Sequence, residues 1–334
     1  MTAVAPALAA AGAGTGTMRA AVIAAPGRLR VEDVPVPEPG PGEVRLRLEG
    51  SGVCASNIPL WEGREWFRYP HAPGAPGHEG WGRIDAIGEG VSGVKLGDRV
   101  AALSYAAYAE HDIARADAVV PLPPALDGVP FPGEPLGCAM NILARADIRA
   151  GQTVAIVGIG FLGALLTRLT GDAGARVIAI SRRPFALEVA RSFGAHETVP
   201  MDDHAKIIER VKALTGGEGC ERVIEAVGMQ WPLDLAGELT HERGKLVIAG
   251  FHQDGPRQVN MFLWNWRGLD VINAHERDPR VYVDGMRAAV RAVASGALDP
   301  LPLFTHRHPL DRLDEAFRAT IERPDGFLKA LVTA

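Results

Sequence analysis

A glycine-rich turn constrains the fold of this 334-residue chain more than any other feature. Gly158-Ile159-Gly160-Phe161-Leu162-Gly163 follows the apolar run Thr153-Val154-Ala155-Ile156-Val157 and leads into Ala164-Leu165-Leu166-Thr167-Arg168-Leu169. A second β-branched run follows at residues 176–180, so strand, turn, helix and strand come in the order of a βαβ unit. The first glycine permits a tight turn, the second lets backbone approach an anion, and the third allows close packing of helix on strand. Unpaired N–H groups at the helix N-terminus favour negative charge. The residues Gly158, Gly160, Phe161, Leu162 and Gly163 are therefore expected to hold the pyrophosphate of a dinucleotide.

The same alternation continues through the second half. Strands are predicted at 153–157, 176–180, 221–226, 245–249 and 269–274, and helices at 161–172, 184–193, 205–214 and 231–239. That order specifies an α/β fold with a doubly wound parallel sheet. Before it, short alternating runs such as Glu43-Val44-Arg45-Leu46-Arg47-Leu48 and Gly82-Arg83-Ile84-Asp85-Ala86-Ile87 are separated by Pro and Gly clusters, the pattern of a β-rich, barrel-like domain. The expected organisation is a disordered tail at 1–17, a β-rich domain at 18–142, a Rossmann domain at 143–274, and a closing segment at 275–334. That segment carries helices at 284–294 and 311–322 and an apolar strand at 329–332, which is expected to return to the first domain.

Composition excludes several partners. The net charge is −5 and Lys and Arg are scattered among more numerous Asp and Glu, so nothing resembles the basic stripe that nucleic acid or an anionic membrane selects. Cys54, Cys138 and Cys220 are too few and too dispersed for a disulfide framework. The first 17 residues are mostly Ala and Gly without the charged start of a secretory signal, Met18 is a candidate start, and no apolar run reaches the ~20 residues of a membrane span. A cytoplasmic enzyme acting on a small molecule is the expectation.

Cys54 lies in the turn Gly52-Val53-Cys54-Ala55-Ser56-Asn57, and His78-Glu79 in the glycine-flanked turn Gly77-His78-Glu79-Gly80. Thiolate, imidazole and carboxylate form a zinc ligand set, and a catalytic zinc takes three protein ligands and leaves one position open. The interval is too long for a zinc finger, so these ligands must converge from separate loops. Spacing alone leaves open whether they do.

Together, Gly52-Val53-Cys54, Gly77-His78-Glu79-Gly80, the run from Val91 to Val100 and the Gly158 loop resemble the zinc-containing medium-chain dehydrogenases of the alcohol dehydrogenase superfamily. Thr305-His306-Arg307-His308-Pro309-Leu310, Glu315-Ala316-Phe317 and Lys329 resemble that family's closing pattern. Glu134-Pro135-Leu136-Gly137 is similar to the sorbitol and threonine dehydrogenase branch. The resemblance implies a GroES-like catalytic domain beside the Rossmann domain. It implies one catalytic zinc on Cys54, His78 and a carboxylate from Glu79 or Glu134, with Ser56 as the hydroxyl that takes the substrate proton. Cys138 falls on the following helix and is expected to pack as a small hydrophobe. The family's habit of pairing Rossmann edge strands implies a homodimer or homotetramer.

Three departures from the family qualify these expectations. Asn57 replaces the usual Asp three residues after the ligand cysteine, where it is expected to hold the metal-binding imidazole by a hydrogen bond that lacks the charge. After Asp98-Arg99-Val100 the four-cysteine lobe of many relatives is missing, so no structural zinc is expected. Ser181-Arg182-Arg183 stands where an NAD site has a carboxylate; two guanidiniums favour the 2′-phosphate of NADP(H). Trp264, His275 and Arg277, around the last Rossmann strands, are candidate substrate contacts. The function expected is zinc-dependent hydride transfer between NADP(H) and a secondary alcohol or its ketone, the substrate being a polyol, sugar or cyclitol derivative. The alternatives are a zinc-free medium-chain reductase of an activated double bond and a non-catalytic NADPH-binding scaffold or sensor.

Overall fold

The computed structural model describes residues 13–334. Strand β1 (Ala13–Ala25) pairs antiparallel with β2 (Arg28–Pro37) through a turn in which Gly27 adopts φ 63°. Residues 13–17 thus belong to a strand and not to the expected tail, pairing as far as Ala13↔Pro37; residues 1–12 lie outside the described residues. Next come β3 (Glu43–Gly52), α1 (Ile58–Glu62), β4 (Gly80–Ile87), β5 (Arg99–Ala102), β6 (His111–Arg115), β7 (Val119–Pro121) and α2 (Gly133–Ala146). Along β3 the side chains of Val44, Leu46 and Leu48 are buried together with Ile84 and Val100, the period-two pattern of a strand with one covered face.

The Rossmann region follows as β8 (Thr153–Val157), α3 (Phe161–Asp172), β9 (Arg176–Ser181), α4 (Pro184–Ser192), β10 (Glu197–Pro200), α5 (His204–Leu214), β11 (Cys220–Glu225), α6 (Gln230–Leu239), β12 (Thr240–Ile248), α7 (Met261–Arg267) and β13 (Asp270–Asn273). Its six strands are all parallel, in the order β10-β9-β8-β11-β12-β13. The order reverses between β8 and β11, which opens a crevice beyond the carboxyl ends of those strands. Apolar residues of β8, β9 and β11 such as Ala155, Val157, Ile178, Ile180 and Val223 are buried, as strands covered on both faces must be.

The chain closes with α8 (Pro279–Ala294), β14 (His306–Pro309), α9 (Leu313–Glu322) and β15 (Ala330–Thr333). β15 pairs antiparallel with β3, Leu331 opposite Gly52 and Val332 opposite Ser51, and parallel with β14. The C-terminus therefore enters the seven-stranded sheet β14-β15-β3-β4-β5-β7, in which β6 also pairs with β3. One compact unit holds the chain up to Gly137 with Tyr282–Ala334, and the other holds Cys138–Val281. Among the described residues no helix is long and apolar enough to cross a membrane.

Candidate metal centre and dinucleotide site

Three ligand atoms converge in the first unit. Cys54 caps the 3-10 turn Ala55–Asn57 that leaves β3, and His78 and Glu79 end the loop that enters β4. One ligand atom from each of Cys54, His78 and Glu79 lies within 4.8 Å of the other two, and no other group of three or more His, Cys, Asp or Glu of this kind occurs among the described residues. A tetrahedral ion with bonds of about 2.0–2.3 Å would need ligand atoms about 3.3–3.8 Å apart, so a small closure seats one.

The imidazole is oriented for this. His78 Nδ1 lies 2.9 Å from the carbonyl oxygen of Pro76 and donates to it, which leaves Nε2 as the ring nitrogen that would exchange its proton for a metal. Burial opposes a charge on this ring, yet its hydrogen bond to Cys54 and the negative charges of Cys54, Glu134 and Glu79 raise its pKa to about 10. A thiol, an imidazole and a carboxylate so placed could hold a metal ion. Glu134, buried in the first turn of α2, acts on His78 through its charge and is not one of the three converging ligands.

The partner expected for the imidazole is wrong. Asn57 does not hold His78: its Oδ1 accepts from the Tyr108 hydroxyl at 2.7 Å, while the carbonyl of Pro76 orients the ring. Ser56 Oγ donates to Cys54 Sγ at 3.2 Å, so the hydroxyl lies beside the thiolate.

Glu79 is fully buried with a cation that sequence reading saw only as part of a closing pattern. Lys329 Nζ donates to Oε1 at 2.6 Å and stands 2.6 Å from Oε2, but no donor is aligned on Oε2. Gly52 makes room for this carboxylate, since a Cβ there would fall 1.8 Å from Glu79 Oε2. The signal for Lys329 was one charged residue inside the apolar run Phe327-Leu328-Lys329-Ala330-Leu331-Val332.

The second unit carries the glycine turn at the carboxyl end of β8. Gly158 has φ 101°, which favours glycine, and a Cβ on it would lie 2.3 Å from Val227 Cγ2. A Cβ on Gly163 would meet the carbonyl oxygen of Gly158 at 2.0 Å, so the helix can approach the turn only without a side chain. A Cβ on Gly160, the N-cap of α3, would meet nothing within 4 Å; it faces open space of the kind a phosphate needs. The N–H groups of Phe161, Leu162 and Gly163 occupy the first turn of α3, the end of a helix that favours an anion. Ser181 is buried at the end of β9, Arg182 is exposed and Arg183 is the N-cap of α4.

A hydrogen-bonded chain supports this turn. Glu225, fully buried at the end of β11, accepts from the N–H groups of Val227 at 2.7 Å and Gly228 at 2.8 Å, and from His252 Nε2 at 3.0 Å. Arg257 Nε donates to His252 Nδ1 at 2.9 Å, which fixes the tautomer with hydrogen on Nε2. Val227, held by Glu225, is the residue against which Gly158 packs. The sequence signal was an acidic residue closing the β-branched run Val223-Ile224.

The candidate substrate residues separate. His275 and Arg277 follow β13 at the carboxyl edge, where the His275 ring stacks on Phe251 with centroids 5.3 Å apart. Burial and the charge of Arg277 lower the His275 pKa. Trp264 is a correction: it lies on α7, which leads into the opposite, amino-terminal end of β13, and its indole packs against Gly237 of α6. It belongs to the core of the sheet and not to a ligand wall.

A protein-family model for the alcohol dehydrogenase GroES-like domain matches residues 40–124, and one for zinc-binding dehydrogenases matches residues 158–291. The chain belongs to the zinc-type medium-chain dehydrogenase/reductases. This zinc-type dehydrogenase is 27% identical to 2-dehydro-3-deoxy-L-galactonate 5-dehydrogenase of Pseudoalteromonas atlantica, over 84% of this chain and 88% of that protein. It is 28% identical to sorbitol dehydrogenase of Gallus gallus, over 82% of this chain and 85% of that protein. A zinc-binding dehydrogenase of Sinorhizobium meliloti, solved with NADP bound, matches with a TM-score of 0.82 and 25% identity over 96% of this chain and 100% of that one. The chain is an alcohol dehydrogenase-type oxidoreductase.

Proposed function

We propose that this enzyme holds one zinc per chain and transfers hydride between NADP(H) and a secondary alcohol or its ketone, the substrate being a polyol, sugar or cyclitol derivative. The observation that carries the reading is the convergence of Cys54, His78 and Glu79, with the Ser56 hydroxyl 3.2 Å from the Cys54 sulfur. Those three side chains hold the metal, and Glu134, whose charge acts on His78, is the second carboxylate that exchanges with Glu79. When bound, zinc supplies a Lewis acid to the substrate oxygen and nicotinamide gives or takes the hydride. Ser56 Oγ receives the hydroxyl proton on oxidation and returns it on reduction. The sugar-acid and polyol dehydrogenases among its relatives support the substrate class.

The dinucleotide lies on the Gly158–Gly163 turn, and Ser181, Arg182 and Arg183 read its ribose. No carboxylate stands among the three to repel a 2′-phosphate. Each guanidinium ~4 Å from a phosphate near the surface contributes roughly 4 kcal/mol before desolvation and screening. If about a third survives, two of them give a preference of roughly tenfold to several hundredfold. His275 and Arg277 are proposed substrate contacts. Two copies are proposed to join along the edge strand β13.

Three measurements on purified enzyme test the reading. Elemental analysis should give close to one zinc per chain, and Ser56→Ala should keep that zinc while turnover falls by ~10²-fold or more. Arg182→Ala with Arg183→Ala should raise the NADPH dissociation constant by the factor above and leave NADH nearly unchanged. Two zincs per chain, full turnover in Ser56→Ala, or equal parental affinity for NADH and NADPH would each overturn the part it addresses.

A further inference from the structure

Tyr108 is buried with 1% of its surface exposed, and its position is fixed from several sides. Its backbone N–H donates to the carbonyl of Gly74 at 3.0 Å, its carbonyl accepts from Ala21 at 2.9 Å, and its ring meets Phe317 edge-on at 5.9 Å. The hydroxyl at the end of this clamped ring reaches the turn that carries Cys54 and Ser56. It donates to Asn57 Oδ1 at 2.7 Å, with the carbonyl of Gly52 farther away at 3.5 Å. The backbone N–H of Asn57 in turn donates to the carbonyl of Cys54 at 3.1 Å and closes that turn. One hydroxyl therefore holds the Cys54–Asn57 turn at its last residue, and Cys54 and Ser56 lie within that turn.

We propose that Tyr108 is a positioning residue whose hydroxyl, acting through Asn57, holds the Cys54 thiolate and the Ser56 hydroxyl in register for the metal. The inference rests on the zinc reading above. Asn suits this role better than Asp. The Cys54 thiolate, Glu79 and Glu134 already concentrate negative charge around His78, and an amide oxygen accepts the Tyr108 proton without adding more. The pairing also accounts for why Asn57 is not available to His78: a buried acceptor takes the donor that is held against it.

The test uses the zinc-loaded enzyme and Tyr108→Phe, which removes one oxygen and keeps the ring packing. Zinc transfer to excess chelator should be about tenfold faster in the variant, the scale of one lost buried hydrogen bond. The cobalt(II)-substituted variant should show an altered thiolate-to-metal charge-transfer band. Asn57→Ala should behave the same way, and the double variant should be no worse than either single one. Parental release rates and an unchanged cobalt spectrum in Tyr108→Phe would overturn the proposal. Should Tyr108→Phe not fold, parental behaviour of Asn57→Ala overturns it instead. A parent without zinc and without a cobalt–thiolate band overturns the zinc reading itself. The tether is then read from alkylation of Cys54 by iodoacetamide, faster in the variants if Tyr108 orders the turn and equal to the parent if it does not.

Discussion

A lysine and a glutamate buried together beside a thiolate and an imidazole make the metal centre sensitive to each charge in it. Lys329 neutralises Glu79 where neither meets water, their side chains being 7% and 0% exposed. Removing one member of such a pair costs about 3–5 kcal/mol, because the other is left charged and uncompensated. Lys329→Met should therefore destabilise the metal-free protein by roughly that amount, and added zinc should restore most of the loss by supplying positive charge to the same carboxylate. Denaturant melts with and without zinc check this; an equal loss in both would make Lys329 a packing residue. At this scale Cys54, His78 and Glu79 were legible because their residue types suit one ion. The partners of Glu79 and Asn57 were not, since Lys329 is 250 residues from Glu79 and Tyr108 is 51 from Asn57. Hydrogen-bond partners at such separations depend on the completed fold; a lone charge in an apolar run marks Lys329 as buried but does not name its partner.

The strand–turn–helix of β8 and α3 separates two jobs that the spacing of its glycines merges. Gly163 is a packing requirement, with the carbonyl of Gly158 2.0 Å from where a Cβ would stand, whereas Gly160 looks into open space. Gly163→Ala should lower the melting temperature and weaken dinucleotide binding together. Gly160→Ala, with φ −100° open to any residue, should melt like the parent yet raise the NADPH dissociation constant at least tenfold, because its methyl occupies the space meant for phosphate. Calorimetry with NADPH alongside thermal melts distinguishes the two; NADPH affinity unchanged by Gly160→Ala would remove the phosphate from this turn. The βαβ elements were readable because period and length agree with glycine punctuation. β10 and α7 were not foreseen: β10 has only four residues, and α7 only seven. β12 begins at Thr240, earlier than expected, because its polar start His241-Glu242-Arg243-Gly244 hides a strand whose register with β11 shifts after Cys220↔Thr240.

For the whole molecule, α7 explains both a misreading and an exposed surface. Trp264, between Phe262 and Trp266 in sequence, turns inward to the sheet, while the other two stack on the outer face with centroids 6.3 Å apart. Read without a helix, Trp264 suggested a substrate contact; on a helix, i and i+4 share one face and the residue between them takes another. Phe262 and Trp266 are 77% and 80% exposed, and α7 runs into β13, an edge strand that among the described residues pairs only with β12 and that also exposes Val271. Unpaired strand edges and large exposed aromatics both recruit a partner. Across a twofold axis two such rings per copy bring about 600–1,000 Å² of aromatic surface, a large share of the roughly 1,600 Å² in a standard interface. A second copy pairing β13 with β13 would cover both features at once. Phe262→Lys with Trp266→Glu places charge in that contact and should reduce the mass in light scattering from about twice 35.5 kDa, or a larger even multiple, towards that of one chain. Because α7 leads into the end of β13 opposite the glycine turn, the same variant should bind NADPH with the parental affinity. A parent of single-chain mass at tens of micromolar would mean that these aromatics serve some other contact.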